Sequence, residues 1–147
     1  MSRIAIVGAG VAGLSAAWSL RTTPAEVTVF EKSRGYSGRA ATRGRYGVRY
    51  DHGANFIRPT SDRVKRLITE KLPTDDLVSI EGALGTFTAD GTITAERSEA
   101  PAPKWTYRTG INTIGKLMAR QGTAIVQTET RIQIGRASCR ERVYCEV

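Results

Sequence analysis

The chain has 147 residues, enough for one ordinary domain with a sizeable core. Its formal net charge is +8, and it carries 40% hydrophobic residues, one histidine and two cysteines. A single histidine excludes metal centres built on several imidazoles, and cysteines confined to positions 139 and 145 exclude a disulfide framework, so no metal site is expected.

In chain order, the uncharged run from Ile4 to Leu20 behind Arg3 imitates a secretory signal or a membrane span. Glycines at 8, 10 and 13 argue against both, because each interior Gly costs a helix roughly 1 kcal/mol relative to Ala. The same glycines suit a strand that breaks into a tight turn and then a helix, and no membrane association is expected. Ile4-Ala5-Ile6-Val7 predicts a parallel strand buried on both faces. Gly8-Ala9-Gly10-Val11-Ala12-Gly13 matches G-x-G-x-x-G: the first Gly permits the turn, the second lets the backbone approach a diphosphate, and the third lets helix lie close on strand. Leu14, Ala17, Trp18 and Leu20 predict a helix ending near Arg21, with Thr22-Thr23-Pro24 as the break. Free N–H groups and the helix dipole at Gly10–Gly13 would face an anion.

Val27-Thr28-Val29-Phe30 predicts a second strand closed by Glu31, and 17 residues separate Gly13 from Glu31. That is the separation at which an acid meets a ribose diol in this βαβ arrangement. A carboxylate there accepts two hydrogen bonds from the diol and repels a 2′-phosphate. The adenosine end therefore belongs to NAD or FAD rather than NADP, and the opening motif leaves those two open.

The segment Glu31-Lys32-Ser33-Arg34-Gly35-Tyr36-Ser37-Gly38-Arg39 carries glycines and arginines where a plain dehydrogenase would start its next helix. Ser37-Gly38 permits close backbone approach, and Arg39 can pair a phosphate in a bidentate way. Tyr50-Asp51-His52-Gly53-Ala54-Asn55-Phe56-Ile57 then forms a second tight turn of small residues. Together these motifs resemble the N-terminal part of the flavin-containing amine oxidase superfamily, and within it the renalase-type FAD-dependent oxidoreductases. In that superfamily the ribose acid is followed after five residues by Gly-Gly-Arg; here Ser37-Gly38-Arg39 stands there, with Ser in place of one Gly. The family's Asp-x-Gly-Ala/Gly segment beside the flavin ring corresponds to Asp51–Phe56. The resemblance implies FAD as cofactor, held by Gly8, Gly10, Ala12, Gly13, Glu31, Lys32, Ser37, Gly38, Arg39, Ala54, Asn55 and Phe56.

Further along, Thr60 or Ser61 can cap a helix with Asp62 in its first turn, Val64, Leu67, Ile68 and Leu72 on its apolar face and Pro73 as its stop. Leu77–Ile80 predicts a short strand. Phe87-Thr88-Ala89 and Thr92-Ile93-Thr94 predict a hairpin about a two-residue Asp90-Gly91 turn. Arg97–Lys104 reads as a loop and Trp105–Tyr107 as a strand. Asn112 is the predicted N-cap of a helix with Ile114, Leu117 and Met118 inward, stopped by Gly122. Ala124–Val126 and Thr130–Ile132 are expected as later strands of the nucleotide domain, and the family resemblance places backbone near Ile132 against the adenine.

The expected fold class is α/β: a Rossmann-like FAD/NAD(P)-binding domain, incomplete, with the start of an interleaved substrate domain containing antiparallel strands. Residues 1–60 form the FAD-binding core, 61–110 part of the substrate domain or an insertion, and 111–133 the return to the FAD-binding domain. The tail from Ile134 has no strand or helix period and resembles sequencing-adapter read-through, so 134–147 are expected to be non-native. Family members are roughly twice this length, their substrate domain interleaved with the flavin domain. Arg34, Arg39, Arg43, Arg45 and Arg49 concentrate positive charge. They interleave with glycines beside the predicted diphosphate site, so a solvated rim is expected and no nucleic-acid partner.

The resemblance implies hydride transfer from a small-molecule substrate, an amine or a dihydronicotinamide-type carbon, to flavin, with reoxidation by dioxygen. A reducing cytoplasm suits a body without cysteine. His52 has the character of a packing or hydrogen-bonding group, and no catalytic residue is assigned. Two alternatives stand beside this: an inert truncated nucleotide-binding module, and an NAD-dependent dehydrogenase.

Overall fold

The computed structural model describes residues 1–81, 85–95 and 103–133. The tail 134–147 with Cys139 and Cys145, and most of the expected loop Arg97–Lys104, lie outside the described residues.

The chain opens as a β–α–β unit: β1 (Arg3–Val7), α1 (Val11–Leu20) and β2 (Glu26–Phe30). β1 and β2 pair in parallel from Arg3 opposite Glu26 to Val7 opposite Phe30. Residues paired across a sheet share a face. Ile4, Ile6, Val27 and Val29 therefore point to one side, where they meet Leu14, Ala17 and Trp18 of α1. The other face is only partly covered: Val7 is 57% exposed, so β1 is not buried on both faces as its apolar run predicts. The correction has a simple cause. Coverage on that side is uneven: Phe30, opposite Val7, is buried and shares a cleft with Thr130–Gln133, whereas Ala5 and Val7 of β1 stay exposed.

Between β2 and the next helix lies a hairpin that hydrophobic patterning did not reveal, β3 (Thr42–Arg45) and β4 (Val48–Asp51). Its turn residues Tyr46 and Gly47 both have positive φ, 52° and 77°, the pattern of a two-residue hairpin turn that matches strand twist. Then follows α2 (Asp62–Arg66), capped by Ser61, whose hydroxyl oxygen accepts from Val64 N at 3.4 Å. A π-helical turn, Leu67–Lys71, continues it, closed by Leu72 N to Leu67 O at 3.0 Å. Ile68 and Leu72 reach the core as expected, whereas Val64 stays exposed. The longer turn shifts the register between Val64 and that pair.

β5 (Leu77–Ile80) pairs antiparallel with a later strand, and β6 (Gly85–Phe87) pairs with β7 (Ile93–Ala95). The last pair in that hairpin is Phe87 opposite Ile93, so the loop is Thr88–Thr92 and not the expected two-residue turn. Asp90 explains the difference: its carboxylate accepts from Thr92 N and the Thr88 hydroxyl, which builds a wider turn from side-chain bonds. β8 (Lys104–Tyr107) is the partner of β5, with Leu77 opposite Tyr107.

α3 (Thr113–Gln121) packs against α1 through Ile114 and Met118 and stops at Gly122. β9 (Ile125–Gln127) then adds in parallel to β2, giving the sheet order β1-β2-β9. The expected strand Thr130–Ile132 does not form. Glu129 turns at φ 56°, and the N–H groups of Glu129 and Thr130 go to the carbonyls of Ser33 and Glu31, so this stretch lies along the loop after β2. The architecture is a mixed α/β Rossmann-like domain accompanied by small antiparallel sheets.

Candidate functional site

The site forms where β1 and β2 end. Gly8 has φ 100°, a conformation that a side chain disfavours, and its N–H donates to Phe30 O at 2.7 Å. Gly10 is the N-cap of α1, with no side-chain cap and no acidic residue in the first turn. The amides at this helix start are therefore left for an anion. The two glycines that flank it differ sharply. A Cβ on Gly10 would meet nothing within 4 Å, so the space above it is open. A Cβ on Gly13 would collide with the carbonyl oxygen of Gly8, so Gly13 lets α1 rest on the end of β1.

Glu31 closes β2 and turns back beneath this loop. It is only 8% exposed, and its oxygens accept from Ala9 N and from Ser33 N, both at 2.8 Å. Burial raises the carboxyl's pKa, but these backbone bonds and the nearby Lys32 charge outweigh it and hold the group below its ordinary 4.5. The carboxylate is therefore charged at neutral pH, with lone pairs left over for a further donor. Gly8, Glu31 and Lys32 line a cleft of about 440 Å³ with Thr130, Arg131 and Ile132.

On the other side of the glycine loop, Ser37 N donates to Ala9 O at 2.8 Å. Ser37 is buried with φ 78° and Gly38 has φ 57°, so two successive left-handed residues carry the chain past Gly10. Ser37 tolerates that backbone because its hydroxyl donates to Asn112 O at 2.9 Å. Gly38, Arg39 and Ala54, with Ala41, His52 and Gly53, line a second cleft of about 600 Å³. Its walls are joined by His52 N to Ala41 O and Ala54 N to Arg39 O.

Of the expected residues, Gly8, Glu31 and Lys32 line the first cleft and Gly38, Arg39 and Ala54 the second, while Gly10 and Gly13 form the helix start and Ser37 packs against Ala9. Ala12 lies exposed in the first turn of α1. Asn55 and Phe56 line neither cleft; Phe56 is 41% exposed, with Lys104 Nζ 5.0 Å from its ring centre. Asn112 stands at the cap of α3 but makes no cap bond, and its buried side-chain oxygen has no partner among the described residues. Its main chain is instead engaged by Ser37 and Thr42, a tertiary contact that spacing along the chain does not reveal. Asp51 opens the expected Asp51–Phe56 segment, but its pairing with Thr42 at the base of the hairpin was not expected. Recognition of Tyr46-Gly47 as a turn would have paired them.

Chemically, one charged acid stands beside an uncapped helix start, with an open glycine between them. Such a site offers a diol acceptor and an anion cradle within one loop. Residues 6–70 match the NAD(P)-binding Rossmann-like domain family. Among similar proteins is one from Mycobacterium tuberculosis (strain H37Rv), provisionally named flavin-containing monoamine oxidase AofH. It is 46% identical over 67 residues, which cover 46% of this chain and 15% of that protein. The solved structure of putrescine oxidase bound to putrescine aligns over 68% of this chain and 22% of its own, with TM-score 0.50 and 27% identity. A protein of Exiguobacterium sp. 255-15, provisionally named protoporphyrinogen oxidase, aligns over 99% of this chain and 56% of its own, with TM-score 0.69 and 12% identity. It shares the fold. The chain therefore spans only a small part, 15%, of the curated relative's length.

Proposed function

We propose that this chain is the dinucleotide-binding portion of an FAD-dependent oxidoreductase of the renalase-like branch of the amine oxidase superfamily. One observation carries the reading: a buried, charged Glu31 accepts from the glycine loop itself, beside a Gly10 whose missing side chain leaves open space. In this reading Gly8, Gly10, Ala12 and Gly13 hold the diphosphate, Glu31 the adenosine ribose with Lys32 at the rim, and Ser37, Gly38, Arg39, Ala54, Asn55 and Phe56 the flavin half. The residues present fit that group, since an anion cradle and a diol acceptor share one loop. FAD, when bound, supplies the hydride acceptor for an amine or a dihydronicotinamide-type donor.

The chain's own part is to bind, orient and select. Glu31 stays ionised, which repels a 2′-phosphate and selects against NADP. The first turn of α1 presents its N–H groups to a diphosphate, and Arg39 adds a cation at the second cleft. Kinship with a protein named for monoamine oxidation and likeness to putrescine oxidase support a small-molecule amine as substrate. A body without cysteine through residue 133 supports a cytoplasmic setting.

The test is the visible spectrum of the purified full-length gene product. A flavin spectrum is expected, and a protein that takes up NAD but never flavin overturns the proposal. The match of residues 6–70 to an NAD(P)-binding domain favours an NAD-dependent dehydrogenase as the second reading, which that same outcome would support.

A further inference from the structure

The second cleft has two walls from separate stretches, Gly38–Ala41 and His52–Ala54. Both are tied to one turn, Gly110–Asn112, which leads into α3. Asp51 accepts from Ile111 N at 3.1 Å through one oxygen and at 3.2 Å through the other. The same carboxylate accepts from the Thr42 hydroxyl at 2.6 Å, across the last pair of the hairpin. Thr42 Oγ1 in turn accepts from Asn112 N at 3.2 Å. A hydroxyl has one proton, so donation to Asp51 leaves its lone pairs for Asn112, and the relay runs one way. From the other wall, Ser37 donates to Asn112 O at 2.9 Å.

The fit around this turn is tight. A Cβ on Gly110, whose φ is 110°, would strike the Thr42 side chain, and a Cβ on Gly115 would strike the Ser37 hydroxyl. Ile111 is 1% exposed, so the turn is anchored in the core. Within the flavoprotein reading above, on which this rests, we propose that Asp51 is a positioning residue, not a cofactor ligand: with Thr42 it locks the His52–Ala54 wall to the Gly110–Asn112 turn, to which Ser37 ties the start of the Gly38–Ala41 wall.

The test uses the 147-residue chain as wild type, Thr42→Val, Thr42→Ser and Asp51→Ala. FAD is titrated while flavin fluorescence and visible circular dichroism are read, and amide hydrogen exchange is followed without ligand. Thr42→Val keeps the shape and removes the relay, so it is expected to bind FAD about tenfold more weakly. Its Ile111 and Asn112 amides and both walls are expected to exchange faster, and Thr42→Ser is expected to restore all three readouts. Wild-type FAD affinity in Thr42→Val, or a loss that Thr42→Ser does not restore, overturns the proposal. If the wild-type chain alone takes up no flavin, the full-length gene product decides the flavoprotein reading, and hydrogen exchange on this chain decides whether Asp51 and Thr42 hold the Gly110–Asn112 turn. Faster exchange at Ile111 and Asn112 in both Thr42→Val and Asp51→Ala supports it, and unchanged protection in Thr42→Val overturns it. If Asp51→Ala does not fold, Thr42→Val with its serine rescue carries the test alone.

Discussion

Glu31 combines two jobs in one carboxylate. It braces the glycine loop by accepting from Ala9 and Ser33, and in the proposed reading it keeps a charge where the adenosine ribose would lie. Because its folded pKa lies below the ordinary 4.5, the unfolded chain binds more protons as the solution turns acidic. Its stabilisation is complete above that ordinary value and is lost as pH falls through the lower folded one. Glu31→Gln places an amide donor against a backbone N–H and is expected to cost about 1–3 kcal/mol at pH 7. Urea denaturation should show that gap shrinking as pH falls below the ordinary 4.5 and through the lowered folded pKa, and a gap of constant size would contradict the assignment. The glycines separate binding from folding. Gly10→Val adds bulk only to open space, so it should leave the melting temperature near wild type while abolishing FAD uptake. Gly13→Ala drives a methyl into the Gly8 carbonyl and should lower stability by about 1–3 kcal/mol. Calorimetry beside a flavin titration distinguishes the two, and equal destabilisation by both would be the contrary result.

At the scale of elements, the hairpin β3–β4 sets where Asp51 begins the second cleft wall. Its turn depends on Gly47 at φ 77°, following Tyr46 at 52°. Gly47→Ala should therefore cost about 1 kcal/mol, the penalty of a Cβ in left-handed backbone, and loosen the wall that follows. Chemical denaturation measures the first effect and exchange at His52 and Ala54 the second. A cap of α2 at Thr60 or Ser61, which the structure resolves to Ser61, and Gly122 as the stop of α3 were legible, because capping is a local matter of one side chain and the next turn. The hairpin was not legible. Arg43, Gly44, Arg45 and Arg49 give it no alternating apolar pattern, and all are exposed. Asn112 misled for a related reason, since its main chain answers to Ser37 and Thr42, some seventy residues away in sequence.

For the whole molecule, the sheet order β1-β2-β9 leaves β1 at an edge among the described residues, with one face only partly covered. Val7 is 57% and Ile125 63% exposed on that face. Exposed apolar surface beside an unpaired strand edge favours association between copies. The chain should therefore sediment with a concentration-dependent mass, and Val7→Lys should reduce that dependence at a stability cost within about 0.5 kcal/mol. Unchanged association in the variant would show that another surface is responsible.

By its order of residues alone, the chain determined the β–α–β opening, the glycine turn and the acid that follows it. Each is written in a window of about thirty residues and rests on backbone freedom, periodicity and charge. Tertiary structure decided the rest. It left β1 only partly covered on one side, turned Thr130–Ile132 along the loop after β2, and brought Asn112 under Ser37 and Thr42. Those outcomes depend on which surfaces meet and which backbone groups find partners at long range, and no local pattern records that.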